Sequence, residues 1–458
     1  MKTKLAEMSL LALVPALAWA SDYNISSDTI WSDSNPPSPE FSASGDTLTL
    51  AGARLDYSLS GDWNPSSVNI MGENSALNIN SGRLSIANFQ LARIENSLNA
   101  SVLVSGANSS LETANLYFAS GAGNSATMTL SDGASLRVTS SSATNIVNAN
   151  GASGTLNIES GASAHFKAQI NIGGNGQSGE AVVNLRGDSS RLMLDGNINF
   201  LGAYAATGTL NISGGTLSRS DGGKVQRFTI GFTSDGAMNM SGGRADIAAL
   251  DVGSWLIGSQ DSKSNLSLSG SAKMDASILS IGGNYANARA LVNISSGANL
   301  KAGNTTISES GKLILSVDSS ALSTDGDSST PMFETAAMSV SGGDGKIVVD
   351  LSKLGKADGL AAGQDVEISL FSFSGDLSFN GVKFSKSEAD FEQFFSGLIT
   401  FEGAADSEFW EDAAFSDLHY DSASGLVSIG LTYVPESSTC AALFGAFSLL
   451  LVLARRRG

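Results

Sequence analysis

"GTLNISGGTLS", residues 208–218, decides the fold. The chain carries a near copy at 154–164, "GTLNIESGASA", and a looser one at 236–246, "GAMNMSGGRAD". Within the phrase Leu210, Asn211 and Ile212 alternate apolar, polar, apolar, as do Met238, Asn239, Met240 and Val292, Asn293, Ile294. A period of two is that of a strand with one buried face. The glycine that follows (Gly161, Gly187, Gly214, Gly242, Gly270, Gly297) permits the positive φ of a sharp corner. Each phrase therefore reads as one strand and one corner of a repeated unit.

Working outward, the apolar residue before each Ser/Gly turn falls at Ile79, Val104, Leu130, Ile158, Leu185, Ile212, Met240, Leu268 and Ile294, with gaps of 25 to 28 residues. A second column, spaced by 24 to 30, is read at Phe118, Ile146, Ile172, Phe200, Ile230, Ile257, Ile281 and Ile307. Such periods mean stacked units. No long 3.6-residue pattern supports helical repeats, the leucines are too sparse for a leucine-rich repeat, and propeller blades are longer. The expectation is an all-β chain: a parallel β-helix, or β-solenoid, of about nine coils of 25–28 residues over 71–318. At about 4.8 Å per coil the nine make a rod of roughly 43 Å. A single coil cannot bury its apolar face, so the phrase must recur to be stable. Asn78, Asn157, Asn184, Asn211, Asn239 and Asn293 share the outward column, where amide-to-amide ladders can run along the rod.

The remaining segments follow from where the period stops. Residues 21–70, with Trp31, "NPPSPE" and Trp63, are expected to form an N-terminal cap. Residues 319–432 break the period and read as a smaller, acidic β-rich domain, with strands at "KIVVDLS" and "DVEISLFSFS" and a short helix in "EADFEQFFSGLITFE".

Composition narrows the function. The formal charge is −18, and from Ala321 to Tyr433 there are 19 Asp/Glu against 5 Lys/Arg. Such an acidic chain repels nucleic acid and anionic membrane surfaces. One Cys excludes an intramolecular disulfide framework, and two His give poor material for histidine catalysis or a histidine metal site. No cofactor and no metal are expected. "STDGDSS" at 323–329 clusters oxygens suited to calcium but lacks the ordered spacing of an EF-hand loop. "GNGQSG" at 174–179 matches a dinucleotide fingerprint in letters only; it lies between two repeat strands with no room for a helix. Arg191, Arg219, Arg244 with Asp246, and Lys273 with Asp275 recur after the corners. Interleaved by sign, they fit an ion ladder on a soluble face better than the catalytic cluster of a polysaccharide lyase.

Both ends read as processing signals. Lys2 and Lys4 precede an apolar run from Met8 to Ala18, and Ala18-Trp19-Ala20 before Ser21 suits signal peptidase, so 1–20 is expected to be a cleaved signal peptide. At the far end Val434-Pro435-Glu436 is followed by Ser438 and Thr439, an apolar stretch from Cys440 to Ala454, and Arg455, Arg456 and Arg457. The arginines are a stop-transfer signal that stays cytoplasmic.

That order of three unlike segments resembles the PEP-CTERM sorting tail, here over 433–458, departing from the usual order at Ser437, where a second proline is common. The repeat region in turn is similar to a parallel β-helix of autotransporter-like kind. The tail resemblance implies an exosortase substrate: recognised at the motif, held briefly in the inner membrane, cut, and passed to the bacterial surface or matrix. The expected function is a non-enzymatic structural or adhesion protein of the cell surface or extracellular matrix, with extracellular polysaccharide as a possible partner. The alternative is a β-helical protein that binds or degrades polysaccharide.

Overall fold

A computed structural model describes residues 22–434, apart from 38–45, 94–96, 148–149, 175–177, 205, 254–261, 284–288, 320–321, 323–326, 329, 344–345, 358–359, 362, 404–408 and 411–414. The chain is nearly all β, with long parallel sheets consistent with a β-solenoid. Thr207–Ile212 lies between Glu180–Leu185 and Gly236–Met240 in parallel register, so Leu210 sits beside Val183 and Met238, and Ile212 beside Leu185 and Met240. The remaining members of the first column pair in the same way, from Ile79 on Val104 to Leu268 on Ile294, and all nine are buried.

The stack does not stop where the period does. In the same sheet Trp31 pairs with Tyr57 and Tyr57 with Ile79, while Ile294 is followed by Leu315, Val349 and Phe401. Among the described residues this sheet has 14 strands, where about nine coils were expected. The described part of 21–70 is continuous with the stack: Asp22–Ile25 and Thr47–Ala51 are parallel members of the other sheet. Aromatic side chains join Leu48, Leu50 and Leu55 in the interior here, with Trp63 edge-on to Trp31 at 5.6 Å and stacked on Tyr57 at 5.9 Å.

The described part of 319–432 likewise continues the stack. Phe333 pairs with Leu300, and Ile347 with Leu313 and Ile399, so one hydrophobic core runs from Tyr23 to Tyr433. The stack is closed by antiparallel pairing of Gln364–Phe373 with Leu426–Tyr433 and by the helix Glu388–Phe395. Ser387 caps that helix, its hydroxyl accepting from the Ala389 N–H at 3.2 Å. Its own Phe391 and Phe395 pack onto Phe373, Phe384 and Tyr420 beneath it.

The second sheet bends inside each coil. In Arg244–Val252, Lys273–Ile281 and Asn299–Ile307 the inward alternation breaks at two consecutive outward residues: Ala248-Ala249, Ser277-Ile278 and Gly303-Asn304. The slip puts Ile247, Ala276 and Ala302 inside before the bend, and Leu250, Leu279 and Thr305 inside after it.

This slip corrects the second column. Ile172 pairs with Leu201 rather than Phe200, and Leu201 with Ile230. Phe200 faces outward and stacks on Phe232 at 4.1 Å in a small satellite cluster. Val252, not Ile257, pairs with Ile230 and Ile281, and Ile257 lies outside the described residues. Two corners also shift by one residue: the positive φ falls at Gly215 and Gly243, not at Gly214 and Gly242. A Cβ at Gly215 would lie 2.4 Å from the Ser190 carbonyl oxygen, so no other residue fits without backbone movement.

Candidate functional site

The outer faces carry whatever chemistry the coil pattern leaves over, because the interior is packed with apolar side chains. On the first sheet the outward asparagines form a hydrogen-bonded ladder. Asn239 donates to Asn211 at 3.0 Å, Asn211 to Asn184 at 2.9 Å, Asn184 to Asn157 at 2.9 Å, and Asn157 to the Thr129 hydroxyl at 3.2 Å. Asn78 instead donates to Asp56 at 2.6 Å, and Asn293 accepts from Ser316 at 2.9 Å. A ladder of this kind spends the amides on one another, so it orders the face rather than offering it to a ligand.

On the second sheet the outward positions carry charge. Arg244 pairs with Asp246 at 2.8 Å along its own strand, and that contact raises the guanidinium pKa. Asp275 is held by Lys224 at 2.8 Å rather than by Lys273. Lys273 lies in register beside Arg244, and Arg219 approaches Asp221 at 3.7 Å. Arg191 lies in register beside Thr216. The recurring cations thus make local pairs and like-charge neighbours rather than one alternating ladder.

A tighter pair was missed at the sequence level. Arg227 grips Asp251 through Nε at 2.6 Å and Nη2 at 3.3 Å, with Asp251 only 8% exposed. Bonding to Asp251 raises the Arg227 pKa against the pull of burial. The two residues lie on adjacent strands and meet diagonally, Arg227 being in register with Ala249 and Asp251 with Thr229. They are 24 residues apart, two positions off the local register, so a plain coil-length offset in the sequence does not find them.

His165 also acquires a partner that local sequence does not show. Its Nε2 lies 2.7 Å from Asp195 Oδ2, and the Ser220 hydroxyl and backbone N–H both donate to Asp195, at 2.7 and 2.9 Å. Burial pushes the Asp195 carboxyl up, but the Ser220 bonds and His165 outweigh it, leaving the pKa below the usual range. The order is serine–aspartate–histidine, with the carboxylate in the middle. The hydroxyl proton goes to the carboxylate and not to the imidazole, so the cluster lacks the nucleophile–base contact of a hydrolase. It ties three successive coils together.

His419 lies opposite Ser428 in the closing antiparallel strands. Among the described residues no group of three or more His, Cys, Asp or Glu is placed to hold a metal ion. "GNGQSG" falls at the corner between Ile170–Ile172 and Glu180–Leu185, in part outside the described residues, as does most of "STDGDSS".

Of the processing residues only Val434 is described; its backbone N–H donates to the Phe409 carbonyl at 2.7 Å as the chain leaves the last strand. Ala18, Ala20, Ser21, Pro435, Glu436, Ser438, Thr439, Arg455, Arg456 and Arg457 lie outside the described residues. Among those described, no helix is long and apolar enough to cross a membrane. The chain matches no protein family, no curated protein and no solved structure.

Proposed function

We propose that this chain is an exported, non-enzymatic structural or adhesive rod of a bacterial envelope, delivered to the surface or matrix by its C-terminal tail. Signal peptidase removes 1–20. An exosortase-type enzyme reads Val434-Pro435-Glu436 while the apolar stretch from Cys440 holds the chain in the inner membrane and Arg455–Arg457 stay on the cytoplasmic side. The observation that carries the reading is the order of motif, apolar run and arginine cluster in the sequence. It begins one residue after the last strand, which ends at Tyr433.

A structural role is supported by outward polar side chains that engage one another across coils, as in the Asn157–Asn239 ladder and the Arg227–Asp251 pair. A stack that buries its apolar columns along its whole length is stiff and resists proteolysis, as a surface element must.

Replacing Pro435 and Glu436 by Ala tests the tail. In the native host the double variant should lose its signal peptide yet stay in the inner membrane. Surface delivery equal to wild type would overturn the motif.

A further inference from the structure

The bend in the second sheet leaves a recess of about 380 Å³ on its outer side, crossing four successive coils near the C-terminal end of the stack. Ser277, Gly303 and Ala336 sit at the bend, one per coil, and Ser374 continues the line. A Cβ at Gly303 would lie 2.4 Å from the Ser277 carbonyl oxygen, and one at Gly375 would lie 2.5 Å from that of Ala336. The coils therefore approach closely at Gly303 and Gly375 only because those two positions carry no side chain. Asp275, Lys301 and Glu334 stand in register along the rim. Lys224 bonds Asp275 at 2.8 Å and the Ser277 hydroxyl at 3.1 Å, and Asn299 bonds Glu334 at 2.9 Å. A second recess, of about 500 Å³, lies at the same bend in the early coils, beside Ser66, Ala87 and Ala114.

We infer that the 277–303–336 recess binds a neutral, linear glycan lying along the rod axis. The inference rests on the reading of an exported surface protein, because such polymers are met outside the cell. Three features select this ligand. Hydrogen-bonding groups repeat once per coil along an open recess, and a linear glycan offers hydroxyls at a comparable repeat. The four charges lining the recess are two of each sign, in a chain of net charge −18, so nothing there draws in a polyanion. The strands that form it are hydrogen-bonded on both sides, so no free edge is offered to an extended peptide. Asp275 and Glu334 are both engaged by other side chains, so neither stands free to act as a catalytic acid or base on a bound glycan.

The test uses the full chain purified in detergent, with cellohexaose, laminarihexaose and maltohexaose as probes, and hexagalacturonate and a polar decapeptide as comparators. Ligand-observed NMR should show saturable binding of at least one neutral hexasaccharide. Ser277→Trp and Ala336→Trp, both at exposed positions, should weaken it about tenfold or more by filling the recess. Lys301→Ala, which leaves the recess open, should weaken it less. Ala237→Trp, on the outer face of the other sheet, should bind as wild type. No binding of any neutral probe overturns the inference, as does tighter binding of a comparator. Equal binding by folded Ala336→Trp also overturns it. Delivery of Ala336→Trp in the host is scored separately: normal delivery without glycan binding leaves the sorting reading intact, and glycan binding by a wild type that is never delivered contradicts sorting alone.

Discussion

The side-chain amide of Asn211 donates to Oδ1 of Asn184 at 2.9 Å, across a sequence distance of 27 residues. Those two residues occupy the same place in adjacent coils, and their neighbours Ile212 and Leu185 meet inside the rod in the same register. One register thus sets both an inner apolar column and an outer polar one. A one-residue slip would exchange them and bury the amides.

The two columns should respond differently to charge. Ile212→Asp places an unpaired carboxylate at a position 1% exposed. Thermal or denaturant unfolding should report a loss of roughly 4 kcal/mol or more. Asn211→Ala removes two ladder bonds at a half-buried position and should cost about 1 kcal/mol. Equal losses would mean that the inward and outward assignments are wrong.

Asp195 should make the fold sensitive to acid. Its carboxyl lies below the usual range in the folded chain, so the fold favours the ionised form. That contribution is complete above the unfolded value of about 3.9 and is lost as pH falls through the lower folded value. Asp195→Asn should therefore cost about 1 kcal/mol near neutral pH, and the gap to wild type should close as the pH drops below about 4. A gap that stays constant across unfolding curves from pH 7 to pH 3 would show that ionisation of Asp195 contributes nothing.

The closing aromatic cluster gives an opposite expectation. Tyr420 stacks on Phe373 at 5.8 Å and on Phe391 at 5.7 Å, while its buried hydroxyl has no hydrogen-bond partner among the described residues. Tyr420→Phe should keep the ring contacts and remove an unsatisfied polar atom, leaving stability unchanged or raised by up to about 1 kcal/mol. Tyr420→Ala should cost about 3 kcal/mol. A clear loss in the Phe variant would place a bond on that hydroxyl.

The first apolar column was legible because the strand and corner that carry it have nearly constant length, so Ile79 to Ile294 stay in step. The second was legible only in part. A bend with two outward residues breaks period-two counting, and an outward Phe200 looks like a core residue until Phe232 is found beside it. The ends of the stack were hidden for two reasons: Trp31 and Tyr57 replace the aliphatic residues of the column, and the connections from Leu315 to Val349 and on to Phe401 are too uneven to show a period. Partners such as His165 and Asp195 meet across coils, which local motifs do not reveal. The recess is built from Ser, Gly and Ala, residue types that carry no signature of their own.

The proposed sorting of the chain through its tail is the centre of the functional account, and the mass of the mature chain tests it most directly. Intact-mass measurement of the surface or matrix form from the native host should give a chain that begins near Ser21 and ends close to Val434-Pro435-Glu436. A surface-localised chain that still ends at Gly458 would contradict processing at the tail.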